Sequence, residues 1–538
     1  MAYVKPGIEV TQVQGTSTPI LTAPTLTATV VGEGFYWQDP YKDSSVWNTV
    51  YSGVAGTTIN LSDFGNGYDN VETGDGAMVI VDIQSTAGAN VGQTLHLRNG
   101  LDFSVSSGSS ASVVISGALS VGGTTITKGT VRVGYRAQKT DSAGFKTLNS
   151  LETIKSELGD TVSWNPLAFG ASICQANSAS VVTSFGVNDG DLDDTDVLAN
   201  LGLEDTYALA FLDDDVNVTT IKRHVETYSN AVNKKERIAF INPQITWESS
   251  TEWPAGASAK ANTAGLVRDA NSAVASKRVF SVHPDLAYVR ETRHVSTLSP
   301  DFLKASFDHM FSGTLATYEA NCELVSTITL ANGTKYLAGT KVDATVFEAL
   351  RADGGFNHLD VYAPVPGSMY CAANAGLLIS QRPEQPLTNM SIGGLAKTHG
   401  SQDYFSEVDL NSMAEGGTYI MTQDTPSAPI YSRHQMSTDV SSVAYRELSI
   451  TKALDYTAKF IRDGIKPYIG VNVISPAFIK LLNSVLVSQG LFLVRDGVLN
   501  DFKVSSVLQD DTSKDTINVE VNVLVKYPVN YIKIKLVF

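Results

Sequence analysis

The sequence contains little cysteine and little charge for its length. Only three of its 538 residues are cysteines, and Cys174, Cys322 and Cys371 lie far apart, so neither a disulfide framework nor a CxxC metal site is expected. Charged side chains make up 17% of the chain, which excludes a coiled coil, and the 43% of hydrophobic residues excludes a disordered chain. At about 100–200 residues per domain, we expect about three to five domains.

An excess of positive charge and long apolar runs are also missing. The formal net charge is −16, so the basic surface typical of a nucleic-acid-binding protein is not expected. No run of about 18 apolar residues is present, which argues against a membrane-spanning helix, and residues 1–7 lack the apolar core of a signal peptide. We expect reduced, mostly buried thiols in a protein that folds in a cytoplasm, without membrane insertion or direct nucleic-acid contact.

Sequence motifs of catalysis and cofactor binding are absent as well. No pair among the eight histidines has the i, i+4 spacing of a helical zinc site, and there is no GxSxG, P-loop or GxGxxG motif. Asp213-Asp214-Asp215 follows a predicted buried strand, where Mg²⁺ sites occur in α/β folds. Solvated carboxylates that favour the next helix are the simpler interpretation. The acidic run 188–196 lacks EF-hand spacing, so we expect no catalytic, cofactor-binding or metal-binding residues.

Composition and periodicity divide the chain into segments with different patterns. Short β-rich runs between Gly, Ser and Asn turns are typical of a β-sandwich or barrel-like domain, whereas alternating buried strands and amphipathic helices predict a mostly parallel sheet. The predicted fold class is therefore α+β and multidomain. The predicted organisation is an extended arm (1–20), an α/β core (21–40 and 141–390), an inserted all-β domain (41–140), a polar connecting region (391–440) and a C-terminal α+β domain (441–538).

Both ends of the sequence have strand-like alternation next to chain breakers. Ile8-Glu9-Val10-Thr11 lies between Pro6-Gly7 and a Gly/Pro-containing segment at 15–19, and an isolated short strand cannot bury its own face. After Pro528, alternation of apolar residues resumes. Those residues are Ile532, Ile534, Leu536 and Phe538. The longest alternating run precedes them and consists of Val519, Val521, Val523 and Val525. The two end strands therefore need a sheet, either the chain's own or a neighbour's.

These two ends resemble those of contractile tail sheath proteins, which occur in bacteriophages and in related contractile injection systems. Lys5-Pro6-Gly7-Ile8-Glu9-Val10 is similar to the short opening of that family, in which Pro-Gly is followed by a hydrophobic residue, any residue and Val. The order of elements after residue 441 also matches: a basic helix, a helix over 475–490, a loop and strand over 497–504, the long valine strand and a final alternating strand. Residues 382–389 look like one phage sheath subgroup.

The resemblance implies a structural, non-enzymatic subunit of a virion tail, assembled in the host cytoplasm. Sheath subunits polymerise around a tail tube and contract to drive it through the host envelope for genome ejection. In the family, the N-terminal arm and C-terminal strand of neighbouring copies complete a sheet on the C-terminal domain, here offered by the 519–525 strand. The implied partners are other copies, the tail tube, baseplate and tail terminator proteins, with no cofactor. An α/β metal-dependent enzyme and another self-assembling phage or surface protein remain alternatives.

The C-terminal domain differs in charge from the remainder of the chain. Residues 441–538 carry a net charge of +3, although the whole chain carries −16. Lys452 and Lys459 are seven residues apart, near one face of a predicted helix, and Arg462 lies close to that face. Because the family places this domain nearest the tube, we expect Lys452, Lys459 and Arg462 to face an acidic tail tube. An ordinary solvated face is the alternative.

Overall fold

The computed structural model describes most of the chain. The described residues are 26–38, 49–53, 56–63, 71, 78–88, 91–106, 111–121, 124–178, 180–188, 192–213, 216–242, 257–299, 302–303, 321–399 and 404–536. They separate into two compact units. The large unit comprises Leu26–Leu448 and Asn530–Phe538, and the described part of the small unit is Ser449–Val529.

The described strands are numbered in chain order. They are β1 (Ala28–Glu33), β2 (Phe35–Gln38), β3 (Thr49–Tyr51), β4 (Thr58–Asn60), β5 (Val79–Gly88), β6 (Thr94–His96), β7 (Phe103–Ser106), β8 (Ser112–Ile115), β9 (Ser120–Val121), β10 (Thr124–Gln138), β11 (Gly144–Leu148), β12 (Val182–Val187), β13 (Ala208–Phe211), β14 (Ile238–Ile241), β15 (Val279–His283), β16 (Leu286–His294), β17 (Glu323–Leu324), β18 (Ile328–Thr329), β19 (Lys335–Tyr336), β20 (His358–Pro366), β21 (Ser391–Ile392), β22 (Thr418–Thr422), β23 (Ile430–His434), β24 (Leu499–Gln509) and β25 (Ile517–Val525).

The described α-helices are numbered in the same way. They are α1 (Leu151–Leu158), α2 (Pro166–Asn177), α3 (Thr195–Leu203), α4 (Val218–Tyr228), α5 (Ala257–Val274), α6 (Ala344–Asp353), α7 (Ser368–Ser380), α8 (Glu407–Glu415), α9 (Val443–Arg446), α10 (Leu448–Ile465) and α11 (Pro476–Arg495).

The large unit is built on a nine-stranded sheet with the order β11-β12-β1-β13-β14-β15-β22-β23-β21. The six strands from β12 to β22 in this order run parallel, and β11, β23 and β21 are added antiparallel. Strands such as β13 are buried along their whole length, as expected where helices cover both faces. This mixed architecture confirms the α+β, multidomain fold class.

Alternation along the central strands sends side chains into two separate cores. Ala208 and Ala210 of β13 belong to the core that contains α2 and α7, whereas Leu209 and Phe211 face α3 and α4. Because side chains on a strand alternate between faces, one short strand supports both layers. The three cysteines lie in the first core as buried, free thiols, as expected.

Residues 391–440, expected as a connecting region, supply β21, β22 and β23 of the large sheet together with α8. The sequence does not predict these strands, because β21 has only two residues and β22, which reads Thr-Tyr-Ile-Met-Thr, shows no alternation of apolar and polar residues. The two terminal threonines of β22 are nevertheless buried. Burial on both faces, rather than alternation, characterises this strand.

Strands dominate the segment between β1 and α1. β10 is 15 residues long and pairs with β2, β3, β5 and β9, while β5 also pairs with β6. β4, β8 and β7 form a second, three-stranded sheet. Tyr51, Phe103 and Tyr135 are buried within a separate apolar core. The boundaries of an inserted domain at 41–140 remain a prediction, because β2 at residues 35–38 joins this sheet too.

Candidate assembly interface

The small unit carries a sheet with only two strands in the part of the chain described. β24 and β25 pair antiparallel from Leu499 opposite Val525 to Gln509 opposite Ile517. Residues 519–525, predicted as the receiving strand, lie within β25. Each of the two strands therefore has one edge without a described strand beside it. Such edges are templates for pairing with another chain.

Helix α11 lies under this sheet. Ser475 caps its N-terminus by accepting a hydrogen bond from the Phe478 amide at 3.2 Å, and Pro476 occupies the first turn, as the sequence predicts. Gly490 was expected to end the helix, but α11 continues to Arg495. A Cβ at Gly490 would overlap the Phe502 ring, so glycine here allows β24 to approach the helix.

The apolar core beneath the sheet is small and partly open. Leu482 and Leu486 of α11 are buried with Val507 of β24. Several apolar residues packed around them are only partly buried; these are Ile461, Ile465, Ile479, Val504 and Ile517. A helix pair covered by two strands leaves part of its apolar surface in water, and further strands beside β24 or β25 would cover it.

Charged and polar residues occupy the opposite face of the two-stranded sheet. Asn518, Glu520 and Asn522 of β25 are exposed, as are Asp501 and Lys503 of β24. Lys503 lies opposite Asn522 in the strand register. Leu508 and Leu524 lie on this same face, opposite Asn518 and Asp501, and are exposed as well. The two sides of the sheet therefore differ: one packs on α11, and the other is mostly polar and open to water.

The segment after Pro528 is exposed and forms no strand over its described residues, 529–536. Ile532 is 78% exposed and Leu536 is 87% exposed, with Ile534 between them at 79%. Phe538 and the predicted arm residues Ile8, Glu9, Val10 and Thr11 lie outside the described residues. Three large apolar side chains in water on alternate positions of one short segment are unusual for a folded chain.

The root of this segment is nevertheless fixed. Asn530 donates its side-chain amide to Glu447 at 2.8 Å. Glu447 is fully buried and also lies 3.0 Å from Nε2 of His434 and 3.1 Å from Nε of Arg446. Burial alone would raise the pKa of this carboxyl, but these hydrogen bonds and the nearby charges hold it below the usual value.

The basic helix expected to face a tube is α10, and its three candidates differ in exposure. Lys452 is only 1% exposed, whereas Lys459 and Arg462 are half-buried. A helix with a buried Lys452 has less basic surface than the sequence spacing suggests. The tube-facing role of Lys459 and Arg462 stays a prediction.

A buried polar cluster in the large unit joins residues that sequence reasoning did not select. Nδ1 of His96 lies 2.7 Å from Oδ1 of Asp82, and Nε2 of His294 lies 3.3 Å from Oδ2. The Ser296 hydroxyl is 2.7 Å from Asp82 Oδ1. Despite burial, which raises it, the pKa of Asp82 is held well below its usual value by His96 and His294. His96 and His294 lie 14 and 212 residues after Asp82 in the sequence. Residues so far apart form no recognisable motif, so the sequence alone could not reveal the cluster.

Two imidazoles and a carboxylate within 4.8 Å of one another are also a possible metal ligand set. The Ser296 amide, however, donates to Nδ1 of His294 at 3.2 Å, and burial lowers the pKa of His294 to about 3. The neutral ring therefore carries its hydrogen on Nε2, facing Asp82. Metal coordination through Nε2 would place the hydrogen on Nδ1, against the Ser296 amide. The geometry fits a hydrogen-bonded carboxylate better than a metal centre.

The acidic candidates of the enzyme alternative are used for local structure where they are described. Asp194 caps α3 by accepting from the Asp196 amide at 2.7 Å, and Asp193 accepts from the Asn217 amide at 2.9 Å. Of the run 213–215, only Asp213 lies within the described residues. Carboxylates at helix starts are explained by capping and the helix dipole.

Helix α11 is long and apolar enough to cross a membrane by composition, with a mean hydropathy of 1.7 over its most apolar window. Only 28% of this apolar stretch is buried within the chain. Burial of Leu482 and Leu486 against Val507, together with the close approach of Gly490 to Phe502, identifies α11 as the helix that supports β24.

Neither a protein-family model nor a curated protein matches the chain. Solved structures of sheath proteins are similar to it. The helical sheath of the anti-feeding prophage in the contracted state is 11% identical with a TM-score of 0.45 over 74% of this chain and 89% of that chain. The contracted sheath of the extracellular contractile injection system PVC is 11% identical with a TM-score of 0.46, over 73% and 86%. The sheath tail protein of Desulfitobacterium hafniense is 11% identical with a TM-score of 0.37, over 99% and 98%.

Proposed function

We propose that this chain is the structural subunit of a contractile tail sheath. Copies polymerise around a tail tube, and their contraction drives the tube through a host envelope. The partners are other copies, the tube protein, and baseplate and terminator proteins of a phage-type tail, and the subunit has no enzymatic role. Assembly takes place in the host cytoplasm.

One observation carries the proposal: within its described residues, the chain has both a sheet of only two strands and an alternating segment that pairs with no strand. β24 and β25 each have one edge without a described strand beside it, over a partly open core. Residues 532–536 expose apolar side chains at alternate positions. The sheet can accept a further strand, and the segment can act as that strand. Strand addition between copies satisfies both, and it links subunits in a series because every copy gives one strand and receives another.

The free energy of such a link between two copies is the sum of many small contributions from hydrogen bonds and apolar burial. Each added main-chain hydrogen bond contributes about 0.5–1.5 kcal/mol. Burial of Ile532, Ile534 and Leu536 adds about 1.5–3 kcal/mol for each side chain, less the entropy of ordering the segment. A link of this size holds while rigid units change their packing, as contraction requires.

Negative-stain electron microscopy of the purified full-length chain tests the proposal. We expect hollow tubes or rings. The variant Ile532→Asp/Ile534→Asp/Leu536→Asp should stay unassembled, because the added strand could no longer bury an apolar side. Val232→Asp, at an apolar position that is 84% exposed in the large unit, is the control and should assemble normally. Normal tubes from the triple variant would contradict strand exchange through this segment.

A further inference from the structure

We propose that His294 is an acid-sensitive contact between the β-rich segment from β2 to β10 and the rest of the large unit. The neutral imidazole holds the short turn that follows it, and a serine of this turn binds the buried carboxylate of Asp82 in β5. Uptake of a proton by the imidazole breaks the first of these contacts and weakens the second. This inference concerns the large unit alone and does not rest on the proposed function.

The contact is built from three side chains that meet at the boundary of the β-rich segment. His294 ends β16 and caps the buried 3-10 turn Val295–Leu298. Its Nδ1 accepts a hydrogen bond from the Ser296 amide at 3.2 Å, and the Ser296 hydroxyl donates to Oδ1 of Asp82 at 2.7 Å. Ser296 therefore links the histidine, on one side of the boundary, with the carboxylate on the other.

A proton on Nδ1 of His294 is incompatible with this arrangement. A protonated imidazole donates from both nitrogens and accepts no hydrogen bond. The Ser296 amide would then face a second donor in a buried site, where a lost hydrogen bond leaves the amide unsatisfied. The cap would be lost, and Ser296 would no longer be held in position to bind Asp82.

The groups around His294 oppose its charging in the closed arrangement. Its ring contacts two further imidazoles, with centroid distances of 5.0 Å to His96 and 5.3 Å to His358. Burial lowers the pKa of His294 most strongly. Asp82 of β5 raises this pKa, and the two neighbouring imidazoles and Arg132 of β10 lower it further. The resulting pKa is about 3, although the ordinary value is 6.5.

A cavity beside His294 connects this boundary with solvent. It has a volume of about 290 Å³, and both His294 and Trp37 of the β-rich segment line it. Lys155, Asp160 and His358 are the other titratable groups among its lining residues, and Lys155 and His358 are exposed. The cavity therefore opens at the surface, and the ring can move into it and take up a proton without unfolding of the large unit.

Opening of the boundary is therefore coupled to proton uptake by His294. The open form takes up a proton once the pH falls below 6.5, whereas the closed form does so only near pH 3. Because the pKa of the closed form is the lower one, the stabilisation is complete above pH 6.5 and is lost as the pH falls towards 3. The ratio of open to closed molecules should rise up to about tenfold per pH unit in this range. Asp82 stays charged in both forms above about pH 4, since the ordinary pKa of its carboxyl is 3.8.

Hydrogen exchange of the purified full-length chain, followed by mass spectrometry of peptides that cover residues 295–298, tests the inference. After correction for the intrinsic pH dependence of exchange, protection of this turn should fall about tenfold between about pH 6.5 and pH 5. His294→Asn should abolish the fall, because asparagine can cap the turn with its side-chain oxygen but cannot take up a proton.

His224→Asn is the matched control. His224 lies in α4, and burial together with the charge of Arg237 lowers its pKa to about 3 as well. Its substitution removes a second buried histidine that is not part of the boundary. The acid-dependent fall in protection at residues 295–298 should therefore be the same in His224→Asn as in the unmodified chain.

Two results would overturn the inference. One is constant protection of residues 295–298 in the unmodified chain across this pH range. The other is an acid-dependent fall that persists in His294→Asn, which would assign the step to a neighbour such as His96 or His358. If circular dichroism shows that His294→Asn does not fold, His294→Gln, which carries the same amide on a longer side chain, decides in its place. None of these results bears on strand exchange between copies, which the triple aspartate variant tests separately.

Discussion

Asn530 donates a hydrogen bond to the buried carboxylate of Glu447 at 2.8 Å, although the two residues are 83 positions apart. Glu447 lies just before the chain leaves the large unit, between residues 448 and 449, and Asn530 is the first residue after it returns. The hydrogen bond therefore links the two places where the chain passes between the large and the small unit, one after residue 448 and the other before residue 530. It also sets the starting point of the exposed segment that we propose to be exchanged between copies.

Asn530→Ala should loosen the root of this segment without unfolding the chain. The substitution removes one hydrogen bond to a charged acceptor, worth about 1.5–3 kcal/mol when fully formed. We expect limited proteolysis to cleave after Lys526, Lys533 or Lys535 several times faster than in the unmodified chain. Asn472→Ala, in an exposed loop of the small unit, is the matched control. Equal cleavage rates for Asn530→Ala and the unmodified chain would show that the bond does not restrain the segment.

Glu447 should also make the segment's attachment sensitive to acid. Although burial raises it, the pKa of Glu447 in the folded chain lies below the ordinary value of 4.5, because hydrogen bonds from its neighbours favour the charged form. The charged form therefore stabilises the fold at pH values above about 4.5, and this contribution is lost as the pH falls through the lower, folded-state pKa. The Leu448 amide, next to Glu447, donates to the Gln435 carbonyl at 3.2 Å, and its protection from hydrogen exchange should decrease in that acidic range. Glu447→Gln should show low protection throughout and no acid-dependent step, and a step that persists in this variant would assign it to another group.

Asp82→Asn should destabilise the large unit. The carboxylate is buried next to His96, His294 and Ser296, and an amide replaces the charged acceptor of the His96 and Ser296 hydrogen bonds by a neutral one, which weakens them. Loss of the charged acceptor of two buried hydrogen bonds predicts a decrease of about 2–4 kcal/mol in the free energy of unfolding. All five tryptophans lie within the limits of the large unit in sequence, so urea unfolding followed by their fluorescence measures the effect.

The control for Asp82→Asn is Asp141→Asn. The Asp141 carboxylate is 76% exposed and pairs with Lys139. A surface pair of this kind contributes only about 0–1 kcal/mol, so its unfolding midpoint should hardly move. Unfolding of Asp82→Asn at the same urea concentration as the unmodified chain would mean that the cluster does not hold a charged carboxylate.

The sequence predicted those parts of the fold that are set by local periodicity and capping. The valine alternation of β25 and the Ser475-Pro476 start of α11 follow from residues within a few positions of one another. The interpretation of Gly490 as the helix end is wrong, because the role of this glycine depends on Phe502, which approaches from a different element. β22 was missed for the same kind of reason: its threonines are buried by the sheet and helices around it, and local alternation carries no information about that.

Gly490→Ala tests whether the close contact between α11 and β24 holds the receiving sheet in place. A methyl group at this position would overlap the Phe502 ring, and overpacking of this kind costs about 1–3 kcal/mol. Alanine is otherwise the better helix former by about 1 kcal/mol, so any loss of stability must come from the contact. We expect faster hydrogen exchange of β24 amides and weaker tube assembly.

Ser488→Ala, two residues away on the exposed side of α11, should leave both unchanged. Adding Phe502→Leu to Gly490→Ala makes room for the methyl group and should recover part of the lost protection. If the single variant assembles and exchanges like the unmodified chain, the helix and the strand are not tightly packed there, and the sheet edge must be positioned by other contacts.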